Sequence, residues 1–165
     1  MILGQDIYAP PDVVECATHV LDGIDLDAAS DRSGRSLVPA GAILTAAEDG
    51  LTQPWHGRVW LFPPQDSRLA AWSAKLAHEH RCGRVSAGLL YAGLDPRAPG
   101  FQTLAQSAAA LCFVAGALRA TLTDGRPLPR SRIAGLLAYF GPDRERFRQA
   151  ASALGAVLFP PESKP

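Results

Sequence analysis

The stretch E-D-G-L-T-Q-P-W-H-G-R-V-W-L-F-P-P-Q, residues 48–65, decides the reading of the fold. It reads as a loop, then a short β-strand over Arg58–Phe62, then a Pro63-Pro64 turn at the strand's carboxyl end. In α/β proteins, ligands bind just beyond the carboxyl ends of strands. Phe62, Pro63, Pro64 and Gln65 therefore stand where α/β enzymes place their chemistry.

Working outward from this strand, apolar runs alternate with amphipathic stretches. A helix is predicted over 11–21, with proline in its first turn and Val13, Ala17, Val20 and Leu21 on one face. Gly23 ends it, and residues 24–28 read as a short buried strand with acids at its end. Residues 29–57 show no strong periodicity, and long irregular stretches are often functional. A helix follows the Pro-Pro turn over 65–80, with Leu69, Trp72 and Leu76 on one face. Strands are predicted over 85–91, 110–114, 133–140 and 156–159. A helix is expected over 101–109, and another opens at Gly141-Pro142-Asp143 with Phe147, Ala151 and Leu154 inward. This alternation predicts one α/β domain over residues 1–165, with a core over 8–159, a tail over 160–165 and a mostly parallel sheet. The Gly116–Phe140 region resembles a hairpin, so the sheet is expected to be mixed at one edge.

Composition is that of a globular protein, 47% hydrophobic and 19% charged. No apolar run has the roughly 18 to 20 residues that span a bilayer. No basic region followed by an apolar stretch opens the chain, so a cytoplasmic protein without a membrane partner is expected. Cys16, Cys82 and Cys112 are widely spaced and include no CxxC pair, which fits reduced thiols. No Cys/His spacing suits a structural metal, so no metal is expected. Formal net charge is zero, but the seven acids of residues 1–31 face no Lys or Arg there. All 16 basic residues lie beyond position 31, so nucleic-acid binding is neither excluded nor required. Arg119, Arg126, Arg130 and Arg132 lie in or beside one loop and are the candidate DNA contacts. A solvated arginine-rich loop is the competing reading.

Y-A-P-P at 8–11, I-D-L-D-A-A-S at 24–30, F-P-P-Q at 62–65, A-L-C-F-V-A-G-A-L-R at 110–119 and L-L-A-Y-F-G at 136–141 stand in an order that resembles the phage-type DNA N6-adenine methyltransferase (Dam) family. Tyr8-Ala9-Pro10-Pro11 is similar to its opening T-P-P element, with Ala9 at the Thr position. Residues 24–30, I-D-L-D-A-A-S, are similar to its L-D-P-A-S segment. Residues 110–119 resemble its I-C-F-x-x-G-R-L-[KR] segment, and L-L-A-Y-F-G at 136–141 resembles its closing A-L-V-Y-F-G. F-P-P-Q at 62–65 takes the place of the family's N-P-P-Y, and the resemblance makes Phe62, Pro63, Pro64 and Gln65 a degenerate catalytic motif. The resemblance implies a Rossmann-like methyltransferase fold, S-adenosylmethionine as methyl donor and adenine in DNA as acceptor. It implies cofactor contacts from Tyr8, Pro10, Asp25 and Asp27. Asp27 also follows the first strand, a usual station for a cofactor-proximal acid. Asp25 and Asp27 read equally well as solvated loop acids.

The changed motif bears on chemistry. Adenine N6 is a poor nucleophile, and the family's Asn side chain accepts a hydrogen bond from it while the Tyr ring stacks on the flipped base. Phe62 has no acceptor atom. Pro63 keeps its backbone carbonyl, and Gln65 has an amide oxygen but no ring. Losing one oriented contact at a transition state costs about 3 to 4 kcal/mol. Losing the stacking ring costs about 1 to 3 kcal/mol of base binding. The resemblance thus leads to the expectation of a pseudo-methyltransferase: lost or strongly reduced catalysis, and a DNA- or protein-binding module of a phage or mobile element. Two alternatives stand beside it. One is an active enzyme with altered acceptor geometry, in which Phe62 stacks on the base and Gln65 supplies the acceptor. The other is a partner subunit or anti-defence interaction protein.

Overall fold

Along residues 57–62 the apolar side chains alternate between two layers. Val59 and Leu61 enter one buried cluster, and Trp60 and Phe62 pack in the other. A strand covered on both faces belongs inside a sheet, and the computed structural model places it there. The structure describes residues 7–31, 37–64, 68–93, 95–116, 121–122, 124–127 and 135–161. In chain order its elements are β1 (Ile7–Tyr8), α1 (Pro11–Leu21), β2 (Ile24–Asp27), β3 (Ala40–Ile43), β4 (Gly57–Leu61), α2 (Leu69–Arg81) and β5 (Val85–Gly93). There follow α3 (Pro99–Ser107), β6 (Ala110–Val114), β7 (Thr121–Leu122), β8 (Gly135–Phe140), α4 (Arg144–Ala151) and β9 (Gly155–Leu158).

The main sheet has seven strands in the order β3-β2-β4-β5-β8-β6-β9. β2 pairs in parallel with β3 and β4, and β4 with β5. β8 runs antiparallel to both β5 and β6, and β9 antiparallel to β6. Strands β2 to β6 therefore all point one way, and β8 and β9 point back. The chain is α/β, with a largely parallel first part and a mixed second part. The predicted hairpin partners β6 and β8 are adjacent, but β8 lies inside the sheet rather than at its edge. β9 forms that edge instead.

Each face of the sheet carries two helices. Val13, Cys16, Ala17 and Val20 of α1, with Phe147 and Ala151 of α4, cover Trp60, Leu89, Tyr91 and Leu137. On the other face, Trp72, Leu76 and Ala77 of α2, with Leu104 of α3, cover Val59, Leu61, Leu90 and Leu136. Trp55, Trp60 and Trp72 are all core residues.

Local chemistry sets the boundaries. Pro11 fits the first turn of α1, where its missing N–H leaves no bond unmade. That helix stops at Asp22, which takes a left-handed conformation (φ 53), and Gly23 follows at φ 103. At α4 the Asp143 carboxylate accepts a hydrogen bond from the Arg146 N–H at 2.9 Å, an N-cap. Leu154, expected inward on that helix, lies beyond its end and is half-buried.

Two elements depart from the sequence reading. β3 falls within residues 29–57, which were read as irregular. A two-residue ribbon pairs β1 with β7, Ile7 opposite Leu122 and Tyr8 opposite Thr121, where a loop was expected. The predicted helix start at 65–67 and strand start at 133–134 lie outside the described residues.

Candidate functional site

From β2 the chain passes to β3 on one side, then returns across β2 to β4 on the other. This reversal is a topological switch point. Its crevice, beyond the carboxyl ends of the strands, is where open α/β sheets bind ligands. A cleft enclosing about 330 Å³, part of it open to solvent, lies at this place. Its floor is Asp27, Trp60 and Phe62, from the ends of β2 and β4. Ala29, Ser30 and Asp31 form one wall, and Leu37 and Val38 another. Ile7, Tyr8, Ala9 and Val14 close the side nearest α1.

The described lining is apolar with a few polar groups. Its two ionisable acids, Asp27 and Asp31, are accompanied by no Lys or Arg among the described lining residues. Asp27 is 4% exposed, and its Oδ1 accepts a hydrogen bond from the Ala29 N–H at 3.3 Å. Such a turn holds the carboxylate at the end of the strand. The Ser30 Oγ is buried and has no hydrogen-bond partner among the described residues. A buried hydroxyl without a hydrogen bond is uncommon in native proteins.

The inner wall is aromatic. Phe62 is half-buried, packs on the α1–α4 side of the core, and stacks on Tyr91 with ring centroids 5.6 Å apart at 29°. Tyr91 is fully buried. Burial pushes its hydroxyl pKa up to about 12, and that hydroxyl has no hydrogen-bond partner among the described residues. Pro63 is buried and Pro64 exposed, so the chain turns outward there. Gln65 lies outside the described residues.

The four residues expected near a cofactor separate into two groups. Tyr8 and Asp27 line the cleft. Pro10 sits one step behind it, buried, where its carbonyl accepts from the N–H groups of Val13 and Val14 at the start of α1. Asp25 is absent from the described lining. Its Oδ2 accepts from the Arg58 N–H at 2.8 Å and the Arg58 Nε at 2.9 Å, and its Oδ1 from Nη2 at 3.0 Å. Those bonds hold its pKa near 2. Arg58 also donates to the Asp22 carbonyl. Gly57, at φ 70, leaves room for this pair, because a Cβ there would lie 2.6 Å from the Asp25 carboxylate.

Of the four arginines expected to touch DNA, Arg126 is described, and Arg119, Arg130 and Arg132 lie outside the described residues. Arg126 is exposed at the turn beside β7. Its Nε donates to Asp124 at 2.7 Å, and its N–H to the same carboxylate at 3.0 Å. Arg144 lies over the ring of Phe159 at 4.6 Å. Arg148 pairs with Glu145 on α4. Among the described residues no group of three or more His, Cys, Asp or Glu is placed to hold a metal ion. Nor is any described helix long and apolar enough to cross a membrane.

Sequence reasoning passed over Ser30, Val38 and Tyr91. Ser30 closes the I-D-L-D-A-A-S segment, so its position was visible although its place in the cleft lining was not. Val38 sits in a stretch without periodicity. Tyr91 stood out only as an aromatic near the carboxyl end of an apolar strand. Compared with known protein families and with curated proteins, the chain matches none.

Proposed function

We propose that this chain is a divergent relative of the phage-type DNA N6-adenine methyltransferases that has lost or strongly reduced methyl transfer. In this reading it binds an adenosyl ligand in the switch-point cleft and serves as a DNA- or protein-binding module. The observation that carries the reading is the convergence of three separate segments on one cleft. Tyr8 of the Y-A-P-P arm, Asp27 of I-D-L-D-A-A-S and Phe62 of F-P-P-Q all line it.

The residues present suit S-adenosylmethionine. Asp27 offers a carboxylate to hydroxyl or ammonium donors, and Ser30 has an unmatched hydroxyl. Trp60, Phe62 and Ile7 give apolar walls for a flat base. When bound, the cofactor would supply an activated methyl group. Among the described residues, the end of β4 offers it little means of use. Phe62 brings no acceptor for an amine proton to the strand end, and its ring is engaged with Tyr91. By the cost of one lost oriented contact alone, transfer would fall about 10²–10³-fold.

The test is N6-methyladenine formation on DNA by purified protein. The expected result is none above background for the wild type. A gain of activity in the double variant Phe62→Asn with Gln65→Tyr would show that only the motif was lost. Reproducible wild-type activity, abolished by Asp27→Asn, would overturn the loss of catalysis.

A further inference from the structure

β9 is an outer strand of the main sheet, paired with β6 on one side and with no described strand on the other. Outer strands are normally blunted by charge, proline or a bulge, because their unpaired N–H and C=O groups invite another strand. The run Gly155-Ala156-Val157-Leu158-Phe159 carries no charge, and no proline before Pro160. Of the three large apolar residues exposed among the described residues, two lie here, Leu158 at 50% and Phe159 at 44%.

The ladder fixes which groups face outward. The Ala115 N–H donates to the Leu154 carbonyl at 2.8 Å, and Ala156 and Leu158 lie opposite Phe113 and Leu111. Bonded and non-bonded pairs alternate in an antiparallel ladder, so Leu154, Ala156 and Leu158 bond to β6 and the N–H and C=O of Val157 point to the open edge. The side chains divide as well. Val157 packs on the α1–α4 core, and Arg144 of α4 lies over the Phe159 ring at 4.6 Å. Ala156 and Leu158 stand on the α2–α3 side with Leu111 and Phe113, and both are exposed. Side-chain size rises along the run, from Gly155 through Ala156, Val157 and Leu158 to Phe159. If two such strands pair antiparallel about Val157, Leu158 meets Ala156 and Phe159 meets Gly155 on both sides of the centre. The largest side chains then lie across from the smallest, and an aromatic ring opposite a glycine covers its bare backbone. The run is neutral, so self-pairing sets no like charges face to face.

We propose that the β9 edge is an interaction surface for a second copy of this chain. The two β9 strands pair antiparallel about a two-fold axis at Val157 and join two seven-stranded sheets into one. Such a pairing uses the same patch on both copies and therefore closes as a dimer. The edge lies at the opposite end of the strand order from β2 and β4, so the inference does not rest on what the cleft binds.

Sedimentation equilibrium of the full chain, from low micromolar to submillimolar concentration, tests the proposal. One short strand per copy is a small interface, and small interfaces are weak, so a reversible monomer–dimer equilibrium in the micromolar range is expected. Val157→Pro removes an N–H from the open edge and none from the β6 ladder, and should leave a folded monomer. Ala156→Glu with Leu158→Glu sets like charges opposite each other and should weaken the dimer about tenfold. Ala156→Glu with Leu158→Lys sets opposite charges across the axis and should regain most of that loss. A wild type that stays monomeric throughout, a dimer indifferent to Val157→Pro, or equal behaviour of the two charge variants would overturn the proposal. Growth beyond the dimer would overturn it too, since head-to-tail pairing of β9 with the other outer strand, β3, leads to open chains. If Val157→Pro does not fold, the two charge variants, placed at exposed positions, are read by the same criteria.

Discussion

Tyr91 and Asp25 show how differently two polar side chains can be stabilised in one sheet. Tyr91 contributes packing through its ring and bears a hydroxyl that makes no bond among the described residues. Tyr91→Phe should therefore leave the urea midpoint unchanged or raise stability by about 1 kcal/mol. Asp25 is the reverse case, with three donors from Arg58. Its folded pKa of about 2 lies below the ordinary 3.8. A depressed carboxylate stabilises the fold above the unfolded pKa, and that contribution is lost as pH falls towards the folded one. Asp25→Asn should accordingly lower the urea midpoint at pH 7, and the difference from wild type should shrink between about pH 4 and pH 2. At this scale the sequence was informative where a residue closes a strong apolar run. Asp27 and Phe62 were legible because each follows a strand. The bond between Asp25 and Arg58 was not, because it depends on the register of β2 against β4.

Elements were legible in proportion to their own periodicity. α1 and β6 have the expected bounds because their apolar spacing and flanking signals agree. β3 reads A-G-A-I, with small residues and no alternation, and its order comes from pairing with β2. β7 is two residues long and exists through β1. Neither could be inferred from local sequence. At the junction of α2 and β5, Glu79 is 5% exposed and accepts from Arg84 at 2.5 Å and Lys75 at 3.4 Å. Those bonds hold its pKa down against burial. Replacing it by alanine leaves both cations without their carboxylate and should cost about 1–3 kcal/mol in chemical denaturation. β8 is fixed more tightly. Gly135→Ala would push the added methyl into the Tyr91 ring, which should cost about 1–3 kcal/mol and disturb the Phe62–Tyr91 stack.

For the whole molecule, the parallel half of the sheet forms the cleft and the antiparallel half supports its inner wall. β2 and β4 present Asp27 and Phe62, while β5 and β8 hold Tyr91 behind them. Buried acids spread over α1, β6 and β5 also govern the alkaline limit of the fold. Burial raises the thiol pKa of Cys16 to about 12 and of Cys112 to about 11, and the Tyr91 hydroxyl to about 12. A raised pKa gives stability that is complete below the unfolded value and lost as pH climbs through the folded one. The thermal midpoint should thus fall progressively above about pH 9, the ordinary thiol pKa, and the fall should be reduced in a Cys16→Ala, Cys112→Ala protein. The α/β architecture was legible because strand and helix patterns alternate along the chain. The place of β8 inside the sheet was not, since local sequence does not specify which strands become neighbours.

In the proposed function, the switch-point cleft binds an adenosyl ligand that the chain does not use for methyl transfer. Calorimetric titration of the folded protein with S-adenosylhomocysteine, alongside Asp27→Asn, tests it most directly. Saturable binding at micromolar concentration is expected, weakened about tenfold or more in the variant, in keeping with a lost hydrogen bond to a charged group. Absence of heat from folded wild type at high concentration, or binding unchanged by Asp27→Asn, would contradict it.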